Sequence, residues 1–262
     1  MTNYVTILRF SSFLGFAVAS TWILAAESTL RADLENMDRL RDGLATPFDE
    51  IERRSQRLLE KHSSPEDHGR IYYQLAQSYA QGGIFVEERA ERVIMYAKKA
   101  LAFPLDPVSR LRLYNYWGDA LRMVDRTQPF PRRRKAAAAV YLTGLKESQK
   151  YEIPSHPPKS PAWDMGASLA RGGPTPQDFE RRRQDMRAAR EKWLRDSELY
   201  LRRKVLVDQL IDIYRRKPYA ASELGSLATS IVGDPDLVDE LMDRLAEKGA
   251  VRDDSYHTTP KP

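Results

Sequence analysis

Cysteine is missing altogether from these 262 residues. Its absence excludes a disulfide scaffold, thiolate zinc, iron–sulfur clusters and cysteine nucleophiles. Histidine is scarce: His62, His68, His156 and His257 lie far apart, and none has a partner at a metal-ligand spacing such as H-E-x-x-H. There is no G-x-S-x-G elbow, no G-x-x-x-x-G-K phosphate loop and no G-x-G-x-x-G, and Gly172-Gly173-Pro174 has no strand before it. The sequence therefore assigns no catalytic, cofactor-binding or metal-binding residue. Alternating β-branched runs and Asn-Gly or Asp-Gly hairpin turns are also lacking, which argues against a sheet. A 30% charged composition and a mean hydropathy of -0.59 exclude a polytopic membrane protein, and 10% aromatic content excludes disorder throughout.

One stretch breaks the polar pattern. Phe10 to Ala26 carries no charge over 17 residues, follows Arg9, and ends where Glu27, Arg31 and Asp33 restore polarity. A basic start, an apolar middle and small residues at the end describe a secretory signal, with Ala17-Val18-Ala19 as the A-x-A cleavage pattern. Left uncleaved, the segment reaches about 25 Å as a helix, the short edge of a bilayer span, and would serve as a single anchor. Residues 1–26 are thus expected to export the chain to a periplasmic or extracellular location, or to anchor it there.

Helix starts are plentiful and share one device, a capping residue followed by proline at the first helical position. Thr46-Pro47, Ser64-Pro65, Asp106-Pro107, Thr175-Pro176 and Asp234-Pro235 all read this way, with Asp49, Asp67 and Asp178 placed to answer the cap's own N–H. Apolar periodicity predicts helices near 28–43, 47–62, 66–81, 87–102, 108–124, 132–150, 176–216, 220–231 and 235–248. The fold class is all-α. Between the helices, residues 152–175 hold five prolines and three glycines and read as a linker between a helical part at 27–151 and another at 176–250. The tail at 251–262 is polar and expected to be disordered.

Two of these helices share an internal pattern. Tyr72, Leu75, Ala76 and Tyr79 have offsets of three, four and seven, and Tyr114, Trp117, Gly118 and Leu121 repeat them. Each set puts large residues on one face beside a small residue that admits a neighbouring helix. A second helix follows each with small residues on its seam, Ala97 and Ala100 in one, Ala137 and Gly144 beside Tyr141 in the other. Residues 70–150 resemble the tetratricopeptide repeat on this pattern, although 42 residues rather than 34 separate Tyr72 from Tyr114. Val207, Leu210, Ile211 and Tyr214, then Leu227, Ser230 and Pro235, form a weaker third unit over 207–248. The same spacing also arises in an ordinary helical bundle. The resemblance implies helical hairpins stacked as a short solenoid, with a concave face for a protein or peptide. Tyr73, Gln77, Asn115 and Asp119, on inner faces outside the core, are the contact residues it implies. Trp163, a large aromatic in the linker, is a docking latch or a further contact.

The charge has a location. Residues 176–217 carry 13 Lys or Arg against 8 Asp or Glu, a surplus of five that equals the whole chain's +5. Interleaved acids, as in Asp178–Arg182, Glu191–Arg195 and Glu198–Arg202, make this a solvated helix first and an anion-binding patch second. No nucleic-acid motif accompanies it. Three functional classes follow: an exported protein- or peptide-binding scaffold, an enzyme or enzyme subunit with a site between the two helical parts, and a basic segment that grips a membrane or an anionic polymer.

Overall fold

A computed structural model describes residues 30–35, 48–81, 87–124, 130–161, 176–215 and 220–248. Among these the chain is helical without a strand. After a short helical stretch at 30–35 come α1 (Phe48–Lys61), α2 (Pro65–Gln81), α3 (Glu87–Leu101), α4 (Pro107–Met123), α5 (Phe130–Ser148), α6 (Pro176–Tyr214), α7 (Ala220–Ile231) and α8 (Pro235–Glu247). The all-α expectation holds, with the ends of α1 to α8 within two residues of those read from periodicity; of the helix expected at 28–43 only 30–35 falls among the described residues. Residues 1–29, which include the apolar segment, the remainder of the linker with Trp163, and the tail lie outside the described residues. No helix among the described residues is long and apolar enough to cross a membrane.

The start signals at Ser64, Asp106 and Asp234 work as the sequence suggests, and the capping residues Thr46 and Thr175 lie outside the described residues. Asp106 accepts a hydrogen bond from the Ser109 amide at 3.0 Å, and Asp234 accepts one from the Asp236 amide at 3.0 Å. Ser64 Oγ accepts from the Asp67 amide at 3.1 Å, which is the Ser64 half of a capping box. The last carbonyls of α1 are met from the next helix. His68 Nε2 lies 2.8 Å from His62 O and 3.2 Å from Leu59 O, whereas His62 itself turns its ring toward Asp33 at 3.5 Å.

Successive helices pack on one another in chain order. α2 pairs with α3, α4 with α5, and α3 with α4; across the layer, α2 meets α4, and α4 meets α6, which also lies on α5. Small residues set these approaches. Ala97 and Ala100 of α3 are fully buried, and Gly118 of α4 faces the ring of Tyr141 on α5 with no room for a side chain. Gly144 of α5 likewise sits against Tyr114 of α4 and Leu206 of α6. Two apolar clusters result. Leu75, Tyr79, Val93, Tyr96 and Ala97 fill the first, between α1, α2, α3 and α4. Leu111, Tyr114, Tyr141, Leu145, Leu206 and Leu210 fill the second, which extends onto α7 and α8. α4 serves both: Leu113 and Ala120 face one cluster, Leu111 and Tyr114 the other, and Trp117 borders the two.

Candidate binding face on three helices

Arg112, Asn115, Asp119 and Arg122 follow one another at spacings of three, four and three, so α4 presents them along one face. α2 and α6 flank that face. Arg112 Nη1 donates to Tyr73 Oη of α2 at 3.2 Å, and its Nη2 donates to Glu198 Oε1 of α6. Arg202 Nε, one turn along α6, donates to the same Glu198 oxygen at 2.8 Å. Further down, Arg122 donates to Gln209 Oε1 at 2.6 Å and to Asp212 Oδ2 at 3.0 Å. A polar seam therefore runs from α2 across α4 to α6 in side chains that are half-buried.

Electrostatics follow from this placement. Burial would raise the Glu198 carboxyl, but hydrogen bonds from Arg112 and Arg202 outweigh it and hold Glu198 below the usual carboxylate range. Burial disfavours the Arg112 charge, and Glu198 and Tyr73 more than restore it, so Arg112 is held charged even more firmly than an ordinary arginine. Asp119 goes the other way. Burial lifts its carboxyl above the usual range, against the opposing effects of a 2.6 Å hydrogen bond from Tyr141 Oη and the nearby Arg122 charge. Because the folded value lies above the unfolded one, the folded protein holds this proton more tightly, and stability falls as pH rises through that interval. Asp119→Asn keeps an acceptor for Tyr141 and removes the charge. It is expected to melt at a higher temperature than the parent at pH 7, with the gain shrinking toward about pH 4. Thermal unfolding at the two pH values checks this, and a lower melting temperature at pH 7 refutes it.

The sequence-derived contact residues fall as follows. Tyr73, Asn115 and Asp119 lie in or beside the seam, and Gln77 is half-buried four residues after Tyr73, without a side-chain hydrogen bond among the described residues. Asn115 Oδ1 and Arg112 Nε are buried on the α4 face and have no hydrogen-bond partner among the described residues. Trp163 lies outside the described residues. A different tryptophan reaches the linker: Trp193 Nε1 of α6 donates to Pro158 O at 3.0 Å. Arg112 and Arg122 read in the sequence as ordinary surface charge, and Glu198 only as the partner of Arg202. The 3-4-3 spacing of the α4 residues was the signal available.

Arg122, Lys204, Gln209, Asp212, Arg215 and Lys248 line an open cavity of about 500 Å³ at one end of the seam. Much of its charge is internally matched. Asp212 bridges Arg122 and Arg215, the latter at 2.8 Å, and Lys204 pairs with Asp208. Three helix ends meet here as well, those of α4, α6 and α8, whose C-terminal carbonyls draw cations on their own account. Tyr151, Ile153, Pro154 and Ser155 form one wall of a second open cleft of about 360 Å³, with the Arg203–Glu240 ion pair opposite. No group of three His, Cys, Asp or Glu is arranged to hold a metal ion among the described residues. No family model matches the chain, and no curated protein and no solved structure does either.

Proposed function

We propose that this chain is an exported helical scaffold that binds a protein or peptide segment across the face formed by α2, α4 and α6. The observation that carries the reading is the α4 stripe. A guanidinium, a carboxamide and a carboxyl stand in line on α4; the Arg112 guanidinium is tied to Tyr73 on one side and to Glu198 on the other, and the Asp119 carboxyl accepts from Tyr141. Such groups are suited to an extended polypeptide, whose backbone offers donors and acceptors at regular intervals. The tetratricopeptide-like spacing of Tyr72 to Tyr79 and Tyr114 to Leu121 supports the same reading. The apolar stretch at 10–26 supports export, with an uncleaved anchor as the variant of that proposal. In this reading Tyr73 and Asn115 contact the partner, and Arg112 positions Tyr73.

Affinity capture from a cell-envelope extract with the full chain tests it, at low salt and at about 150 mM, where exposed charges more than about 8 Å apart are largely screened. A polypeptide retained at the higher salt by the parent, and lost from Tyr73→Ala/Asn115→Ala, is the expected result. Retention unchanged in that variant overturns the site, and recovery of polyanions alone overturns the function.

A further inference from the structure

α6 is one continuous helix of 39 residues whose second half is built into the core through Leu206, Leu210 and Tyr214. Its first half is not. From 180 to 192 every position but Met186 is exposed. Such a helix is normally polar on all sides and laced by ion pairs, and Arg187–Glu191 at 3.1 Å and Lys192–Asp196 supply two. One line of residues departs from that pattern. Arg183, Arg187, Arg190, Leu194, Ser197 and Leu201 follow at spacings of four, three, four, three and four, which places them along a single face. Leu194 and Leu201, exposed at 51% and 45%, are the large exposed hydrophobic side chains among the described residues, and they stand two turns apart on this line. Arg183 and Arg190 are exposed and form no ion pair among the described residues. The core residue Leu199 points elsewhere, and Glu198, beside the line, is held by Arg112.

We infer that this stripe is a second docking surface, for an acidic amphipathic polypeptide segment. Its carboxylates would meet Arg183, Arg187 and Arg190, and its apolar side chains would cover Leu194 and Leu201. The stripe spans about 27 Å, the length of five turns of a partner helix. Charge and width select this occupant. A second copy of the chain would bring a like charge against this one, since residues 176–195 carry seven bases and four acids. A flat anionic membrane would press on the flank beside the line as well, where the carboxylates of Glu180 and Glu191 are exposed. A narrow polypeptide touches only the line. The surface is independent of the α2–α4–α6 face and does not rest on it.

The test uses the full chain and a fluorescein-labelled 21-residue helical peptide with three glutamates spaced by three and four and two leucines seven apart. A scrambled peptide of the same composition and vesicles of phosphatidylglycerol and phosphatidylcholine serve as the other probes. The parent is expected to bind the patterned peptide at least tenfold more tightly than the scrambled one. Arg183→Glu/Arg190→Glu and Leu194→Ser/Leu201→Ser, both confined to exposed side chains, are each expected to erase that difference while far-UV circular dichroism is unchanged. A peptide with lysine in place of glutamate is expected to regain affinity for the charge-reversed variant. Equal binding of the two peptides, insensitivity to both variants, vesicle binding that the variants abolish, or self-association lost in Leu194→Ser/Leu201→Ser overturns the proposal. Asn115→Ala is expected to leave the peptide's affinity unchanged, so failure here and failure at the α4 face are told apart.

Discussion

Gly118→Ala is expected to lower folding stability by about 3 kcal/mol, although alanine is the better helix former by about 1 kcal/mol. A Cβ on Gly118 would lie 2.1 Å from Tyr141 Cε1, 2.5 Å from Cζ and 2.7 Å from Cδ1. That ring is fully buried, and its hydroxyl is the donor to Asp119 at 2.6 Å. Turning the ring aside would leave the Asp119 carboxyl without its donor, at a further cost of about 1–3 kcal/mol. Moving α4 off α5 instead would open the second cluster along its length. Either response outweighs the propensity gain, so the melting temperature should fall by about 6–12 °C, at about 2–4 °C per kcal/mol for a chain of this size. Thermal unfolding measures it. An unchanged melting temperature in Gly118→Ala would refute the packing account.

Leu206→Ala carries the second large effect, about 4 kcal/mol. Leu206 is fully buried in the second cluster, and its Cδ1 lies 3.1 Å from where Gly144 of α5 would carry a Cβ. Truncation there leaves a cavity bounded by α5 and α6, with both helices anchored by their other contacts and little freedom to close it. Leu201→Ala, five residues earlier on the same helix and 45% exposed, is the control, and its effect should stay within about 0.5 kcal/mol. Denaturant unfolding of the pair reads the difference directly. Similar costs for the two would mean that α6 is not docked on α5 as described.

Much of the fold was readable because its signals are local. Pro65, Pro107, Pro176 and Pro235 open helices in the structure, and a proline at the first helical position is marked in the sequence itself. The closeness of α4 to α5 was also marked, since Gly118 and Gly144 interrupt otherwise large residues. The candidate face was readable only in part. Helical spacing gives the face on which Asn115 and Asp119 lie, but no spacing says which distant helix stands opposite. Arg112 meets Glu198 and Arg122 meets Asp212 across 86 and 90 residues, with the linker in between. Ion pairs along α6 were ambiguous for a simpler reason. Glu191 has an arginine four residues away on each side; Glu-first order favours Arg195, yet Glu191 pairs with Arg187, and Arg195 approaches Asp196 at 3.8 Å. Glu198–Arg202 formed as its spacing suggested.

The order in which the helices stack has a consequence for how the chain acquires its structure during synthesis. Up to α5, each helix that emerges finds its packing partner already made, so α2 with α3 and then α4 with α5 can condense without waiting for later residues. α6 breaks that sequence. Its anchoring half, with Leu206 and Leu210, comes after both the proline-rich connection and the exposed half of the helix, so the side of α4 and α5 that Leu206 covers beside Gly144 stays open until roughly residue 210 has been added. The slow and aggregation-exposed moment of biogenesis therefore falls between residues 150 and 210, and chains truncated there should depend most on chaperones.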